Sequence, residues 1–329
     1  MGFRRMATLG LVCAGVGLAA SVVAWNHWMA GSWSDQTVTV ELVPEHNAVQ
    51  HMESLKTQLP PGGERLLDHL TIRSWEGRLK AGRYEFPAGE SVKQSAVRLV
   101  TGNRQAVKVV VRSGRDAGPI AGTATRRIHA DSAGVARMLA EDSMMWRVLP
   151  NTYEMWWETD VRALAQRLLL EHRRWWNEDR VAAARAQGLT PKEATVLASI
   201  VQAETAVVSE APQVAGLYLN RLNKGMLLQA DPTLIFALGD PSIRRVLDVH
   251  KEVESPYNTY KYQGLPPGPI RYVDPRYLQS VLHPAQHNHL YMCAKPGGDG
   301  THDFARTYRE HLRNARAYQS WLNAQRIYR

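Results

Sequence analysis

The clearest periodic signal in the chain lies at 190–204. Thr190 stands where a helix N-cap is expected, Pro191 fills the first helical position and Glu193 closes a capping box. Val196, Leu197, Ile200 and Val201 then recur at helical spacing, and Glu204 follows on the same stripe. The pattern aims a carboxylate at an apolar face. Ser209 offers a second N-cap, and Val214, Leu217, Tyr218 and Leu222 mark another amphipathic helix that stops at Lys224-Gly225, with glycine suited to the left-handed position. Upstream, 160–186 reads as one long charged helix with Leu164, Leu168, Leu169 and Trp175 on one side. Nearer the N-terminus, 37–43 alternates at period two as a strand. Helical pattern follows over 48–58 and 62–72, broken by Pro-Pro-Gly-Gly at 60–63. A second strand at 79–86, a turn at 87–91, a helix at 92–100 and a strand at 106–112 complete this part.

Three segments, 228–233, 255–260 and 264–269, are polar and rich in Pro and Gly, and read as rigid loops from which binding groups project. They follow the two helices that meet at Glu204. A carboxylate held against aliphatic side chains loses hydration, which raises its pKa and suits a general acid at neutral pH. The alternative is a glutamate at a fraying helix end that reaches solvent.

The run Leu197-Ala-Ser-Ile-Val-Gln-Ala-Glu-Thr205, followed by Asn220-Arg221-Leu222, Gln229-Ala-Asp-Pro-Thr233, Tyr257-Asn-Thr-Tyr260 and Gly264-Leu-Pro-Pro-Gly268, resembles the endolytic murein transglycosylases, the YceG-like family. The resemblance covers roughly residue 145 to the C-terminus well and the rest loosely. It implies that Glu204 is the catalytic acid. By position in the matched motifs it makes Asn220, Gln229, Asp231, Tyr257, Asn258 and Tyr260 candidate substrate-binding residues, and weakly suggests His302 as another. Arg221 and Asp231 are alternatively a structural pair. The chain departs from the family at Gln202, where many relatives carry an acid, and at Asn151, where the family has Asp.

The N-terminus adds a targeting signal. Residues 1–6 are short and basic, and 7–25 is an uncharged run of 19 residues, about the length that spans a hydrocarbon core. Trp25, Trp28 and Trp33 suit the opposite interface. This predicts a retained single-pass anchor in a bacterial inner membrane with the body in the periplasm. A cleaved signal peptide ending near Ala24 is the competing reading. Cys13 and Cys293 are the only cysteines, one in the apolar run and one in the body, so no intramolecular disulfide is available. The formal charge of +9 favours an anionic partner. Without long basic runs, nucleic acid is not expected, and headgroups or an acidic wall polymer fit better.

The expected fold class is α+β. It comprises a cytoplasmic tail (1–6), a transmembrane helix (7–25), a linker (26–35), a small LysM-like α+β domain (36–112) and a mixed α/β catalytic domain (113–329) with its acid on a helix. The LysM-like label follows from the resemblance; a structural spacer is the other reading. No cofactor or metal is expected. His283, His287, His289 and His302 crowd together near Asp303, but their spacing matches no zinc motif. Trp146, Tyr153, Trp156, Trp157, Trp175 and Trp176 are expected mostly in the core, with one or two stacking on sugar.

The resemblance implies lytic cleavage of peptidoglycan glycan strands inside the strand, leaving 1,6-anhydromuramic ends, and leaves peptidoglycan synthases and division proteins as candidate partners. Two rivals stand beside it. A conventional muramidase would use Asp231 or Glu210 as a second carboxylate. A non-catalytic wall-binding scaffold would leave Glu204 structural.

Overall fold

The computed structural model describes residues 19–243 and 245–325. The chain forms two compact units, one reaching Lys108 and including 127–129 and 154–159, the other holding 109–126, 130–153 and the chain from Asp160 onward. The α+β expectation holds. The tail 1–6 and most of the apolar run 7–25 lie outside the described residues. Among the described residues no helix is long and apolar enough to cross a membrane.

In the first unit β1 (Val38–Leu42) pairs antiparallel with β2 (Gly82–Phe86), and α1 (Ala48–Gln58) and α2 (Glu64–Ile72) lie between them in sequence. The alternation read from the sequence sends Val40, Leu42, Tyr84 and Phe86 to one buried face. α3 (Val92–Thr101) covers this core, capped by a Ser91–Gln94 box and ended by left-handed Gly102. Met29 and Trp33, inside the stretch expected as a linker, are buried in the same core. The Trp33 indole donates to Ser95 Oγ at 2.8 Å and meets Phe86 edge-on, which corrects its reading as an interfacial residue. Trp28 lies against the Arg65 guanidinium, 4.9 Å from the ring centroid.

β3 (Ala106–Val111) pairs with β4 (Asn151–Trp156). The second unit continues with α4 (Ala117–Ala124), α5 (Ser132–Ala140) and the short α6 (Asp142–Met145). The single helix expected over 160–186 is two helices, α7 (Val161–Trp175) and α8 (Glu178–Ala186). Asn177 causes the break: its side chain accepts from Arg180 N at 3.0 Å and starts a new helix.

The centre of this unit is α9 (Pro191–Glu204) packed on α10 (Ala211–Asn223) and α12 (Pro275–Leu282), with α11 (Asp231–Leu238) nearby. Leu197, Ala198, Ile200 and Val201 of α9 meet Val214, Leu217 and Tyr218 of α10 and Leu278, Val281 and Leu282 of α12 in one buried cluster. Each large aliphatic side chain removed from water there contributes roughly 1.5–3 kcal/mol, which holds the last turn of α9 in a fixed place. The hairpin β5 (Tyr291–Ala294) and β6 (His302–Ala305) and the helix α13 (Tyr308–Ala324) complete the fold.

Candidate active site

Glu204 is the last residue of α9, and the Thr190 cap, Pro191 and the Glu193 box at the other end are as the sequence predicts. The turn beyond Glu204 is pinned: Tyr277 donates to Thr205 O at 3.0 Å and Val207 N to Thr205 Oγ1 at 3.1 Å. Glu204 lines a cavity of about 320 Å³ with Leu217, Tyr218, Arg221, Gln229, Asp231, Tyr260, Tyr291, Met292, Tyr308 and His311. The buried Tyr218 hydroxyl donates to Glu204 Oε1 at 2.7 Å. Burial pushes the Glu204 carboxyl up to about 7. The Tyr218 hydrogen bond opposes the rise, the Asp231 charge adds to it, and His302 and Arg221 oppose it weakly. One carboxyl oxygen is thereby held while the group stays a proton donor near neutrality.

Asp231 begins α11, so the segment expected as a loop through Thr233 becomes helical there, with Pro232 in the first turn. Tyr260 donates to the Asp231 carboxylate at 2.5 Å. Thr259 ties the two segments together. Its carbonyl accepts from Gln229 N at 3.1 Å and its hydroxyl from Ala230 N at 3.0 Å, while Thr233 Oγ1 lies 2.9 Å away. Gln229 holds a left-handed backbone, φ 51°, uncommon without glycine and costing on the order of 1 kcal/mol.

Arg221 is buried and forms no ion pair with Asp231 among the described residues, which corrects the structural-pair reading. Its Nη1 donates to Leu228 O at 2.6 Å and its Nε to Leu290 O at 2.7 Å, so backbone carbonyls hold the guanidinium in place. Glu210, expected beside the Ser209 cap, is itself the N-cap position of α10 and makes no side-chain cap. Its carboxylate is taken by His302, whose N–H lies 2.6 Å from Oε1 and whose Nδ1 lies 2.9 Å from Oε2.

The remaining candidates lie outside the cavity lining. Asn220 Nδ2 donates to His287 O at 2.7 Å and His289 O at 3.1 Å, fixing the segment that leads to β5. Gly216 lets that segment approach, since a Cβ there would lie 2.5 Å from Ala285 O. Asn258 is fully buried, donates to Lys251 O and Val253 O, both at 2.8 Å, and accepts from Tyr260 N at 3.0 Å. Tyr257 packs on Phe236 with ring centroids 4.7 Å apart. Gln202 donates to Ser113 Oγ at 2.8 Å and accepts from Asp274 N at 2.9 Å, so its amide serves as donor on one side and acceptor on the other. Asn151 is exposed and accepts from Thr152 N. His287 and His289 pack against one another and Phe304.

A profile of the YceG-like family matches residues 43–317, which include every wall of this cavity. The chain belongs to the YceG-like family. This YceG-like chain is 38% identical over 127 residues to a Bacillus subtilis protein named endolytic murein transglycosylase, covering 39% of this chain and 34% of that one. It is 30% identical over 134 residues to a Streptococcus pneumoniae D39 protein of the same name, covering 40% of this chain and 24% of that one. The matches thus span well under two thirds of these relatives. A crystal structure of a yceG-like protein from Listeria monocytogenes shares the fold, with TM-score 0.53 at 22% identity, covering 85% of this chain and 99% of that one.

Of the residues that the resemblance implies, Glu204, Gln229, Asp231 and Tyr260 meet in one cavity, and Tyr218, Tyr291, Tyr308 and His311, which the sequence did not mark as site residues, join them there. Tyr218 was in view only as part of an apolar stripe. A hydroxyl on the buried stripe of a helix that faces a buried acid is the signal that marks it.

Proposed function

We propose that this YceG-like protein is an endolytic lytic transglycosylase that cleaves peptidoglycan glycan strands. The observation that carries the reading is Glu204, a carboxyl held by Tyr218 and pushed up to about 7 in a cavity lined by polar and aromatic groups. The relatives' name supports it. Glu204 gives its proton to the glycosidic oxygen between N-acetylmuramic acid and N-acetylglucosamine, and the bond from C1 to that oxygen breaks. The resulting carboxylate takes the proton of the muramoyl C6 hydroxyl as that oxygen bonds to C1. Water is not consumed, and a 1,6-anhydro end forms. Asp231 and the hydroxyls of Tyr218 and Tyr260 are polar groups of the cavity lining around Glu204 that can answer charge as it develops.

A second reading has one observation in its favour: Asp231 lines the same cavity as Glu204, so a two-carboxylate hydrolase has both groups. Glu210 does not serve it, being engaged by His302. Mass spectrometry of digested strands separates the two. Muropeptides one water lighter than hydrolysis products are expected; reducing-end muramic acid as the main product would refute the lytic mechanism.

The setting of the reaction is part of the same proposal. Residues 7–25 anchor the chain in the bacterial inner membrane, the body faces the periplasm, and residues 36–112 are a LysM-like glycan-holding domain. The apolar run and the basic tail before it support this. Peptidoglycan synthases or division proteins are the partners that such a location favours.

A further inference from the structure

One wall of the cavity at Glu204 has no part in the proton transfers above. Tyr308 and His311 stand one turn apart at the start of α13, where Thr307 and Glu310 form a capping box, so both rings leave one face of the helix. Tyr291 of β5 completes the group. Its ring centroid lies 5.9 Å from that of Tyr308 and 5.6 Å from that of His311, the latter pair stacked at 26°. Behind Tyr291 the Arg221 guanidinium lies 5.6 Å from the ring, held by the carbonyls of Leu228 and Leu290. The wall is ordered by the protein alone. Tyr308 nonetheless stays 59% exposed while lining the same cavity as the acid.

A ring left in water beside a reacting group suits a flat ligand with an apolar face. A pyranose offers one: the C–H bonds of one face carry slight positive charge and meet the negative face of the aromatic ring, while its hydroxyls point outward. The base of a nucleotide also stacks, but the nucleotide's phosphates would face the Asp231 carboxylate in this cavity, and like charges repel.

We propose that Tyr308, backed by Tyr291 and His311, is a saccharide-stacking platform that binds one N-acetylated pyranose residue of the strand beside the linkage Glu204 attacks. The identity of the strand rests on the proposed function; the platform itself rests on the geometry. The stacking face, not the hydroxyl, is what binds.

The test uses the full chain carrying Glu204→Gln, so that no turnover occurs, with calorimetric binding of β-1,4-linked N-acetylglucosamine tetrasaccharide and of purified glycan strands. Adding Tyr308→Ala is expected to weaken both by about tenfold, the scale of one lost aromatic contact. Tyr308→Phe is expected to bind within about twofold of its parent, as is Tyr262→Ala, an exposed tyrosine outside the cavity. In the chain with Glu204 intact, Tyr308→Ala should raise KM about tenfold with kcat little changed, the signature of lost ground-state binding. Strand binding by Tyr308→Ala within twofold of its parent overturns the platform. If the wild-type chain leaves strands uncut while Tyr308→Ala still weakens binding, the platform stands and the lyase reading falls.

Discussion

The two ends of α9 carry the same side chain in opposite chemical states. At the N-terminal end Glu193 accepts from Thr190 N at 2.8 Å and Thr190 Oγ1 at 2.7 Å, and these bonds hold its carboxyl below the usual range. The positive end of the helix dipole favours the same anion. At the C-terminal end Glu204 is half-buried against the core, faces the negative end of the dipole and is pushed up to about 7. The larger cavity, about 570 Å³, lies at the Glu193 end, lined by Lys192, Leu222 and the Gly264–Pro267 turn. The smaller one holds Glu204. Volume therefore does not single out the candidate site here; the divergence of two like groups along one helix does.

Glu204→Gln is the strongest test of that contrast. Cleavage should fall by about 10²–10⁴-fold, the range credited to general acid–base catalysis, whereas Glu193→Gln should leave it within about twofold. The pH dependence carries the same sign. Cleavage by the wild type should decline as pH rises through about 7, where the acid loses its proton. Because the folded pKa lies above the unfolded one, the wild-type fold loses stability on the order of 3 kcal/mol between about pH 4.5 and 7. Glu204→Gln should lack that loss in thermal melts across the same range, and parallel melting curves for the two proteins would refute the buried-acid assignment.

Tyr218→Phe sharpens the comparison at one end only. Removing the donor deletes a hydrogen bond that favours the carboxylate, so the alkaline limb of the pH–rate profile should move up by about one unit and the maximal rate should drop about tenfold. An unmoved limb would make Tyr218 a packing residue. Thr190→Ala has the smallest expected effect: about 1 kcal/mol of stability lost with the cap, read by denaturant unfolding, and no change in cleavage.

α9 was legible in the sequence because its signals are local: cap, proline, box and stripe lie within fifteen residues or so of one another. The place of Glu204 on the apolar stripe was legible for the same reason, while its role as acid came from the family resemblance. The start of α10 was misplaced because the partner of Glu210 is His302, far along the chain, and Ser209 had only its neighbours to recommend it. Asp231 looked like loop because Asp followed by Pro is a turn signal, whereas proline in a first turn opens a helix equally well. The split between α7 and α8 was hidden in a continuous charge pattern until Asn177 was seen to cap. Tyr291, Tyr308 and His311 reach the cavity from a hairpin and a helix about ninety residues or more beyond the acid. No window of periodicity contains that meeting.

Arg221 also bears on how the catalytic cavity comes into being. One guanidinium holds Leu228 and Leu290 by their carbonyls and lies against the ring of Tyr291, so a single side chain gathers segments nearly seventy residues apart. Such closures lose loop entropy before their contacts form, which makes them late events in folding. The helix that bears Glu204 can assemble from neighbours, but its cavity is finished only when the C-terminal quarter of the chain arrives. A nascent or truncated chain therefore carries the candidate acid without the walls that tune it, and the proposed lytic function would switch on only with completion of the fold.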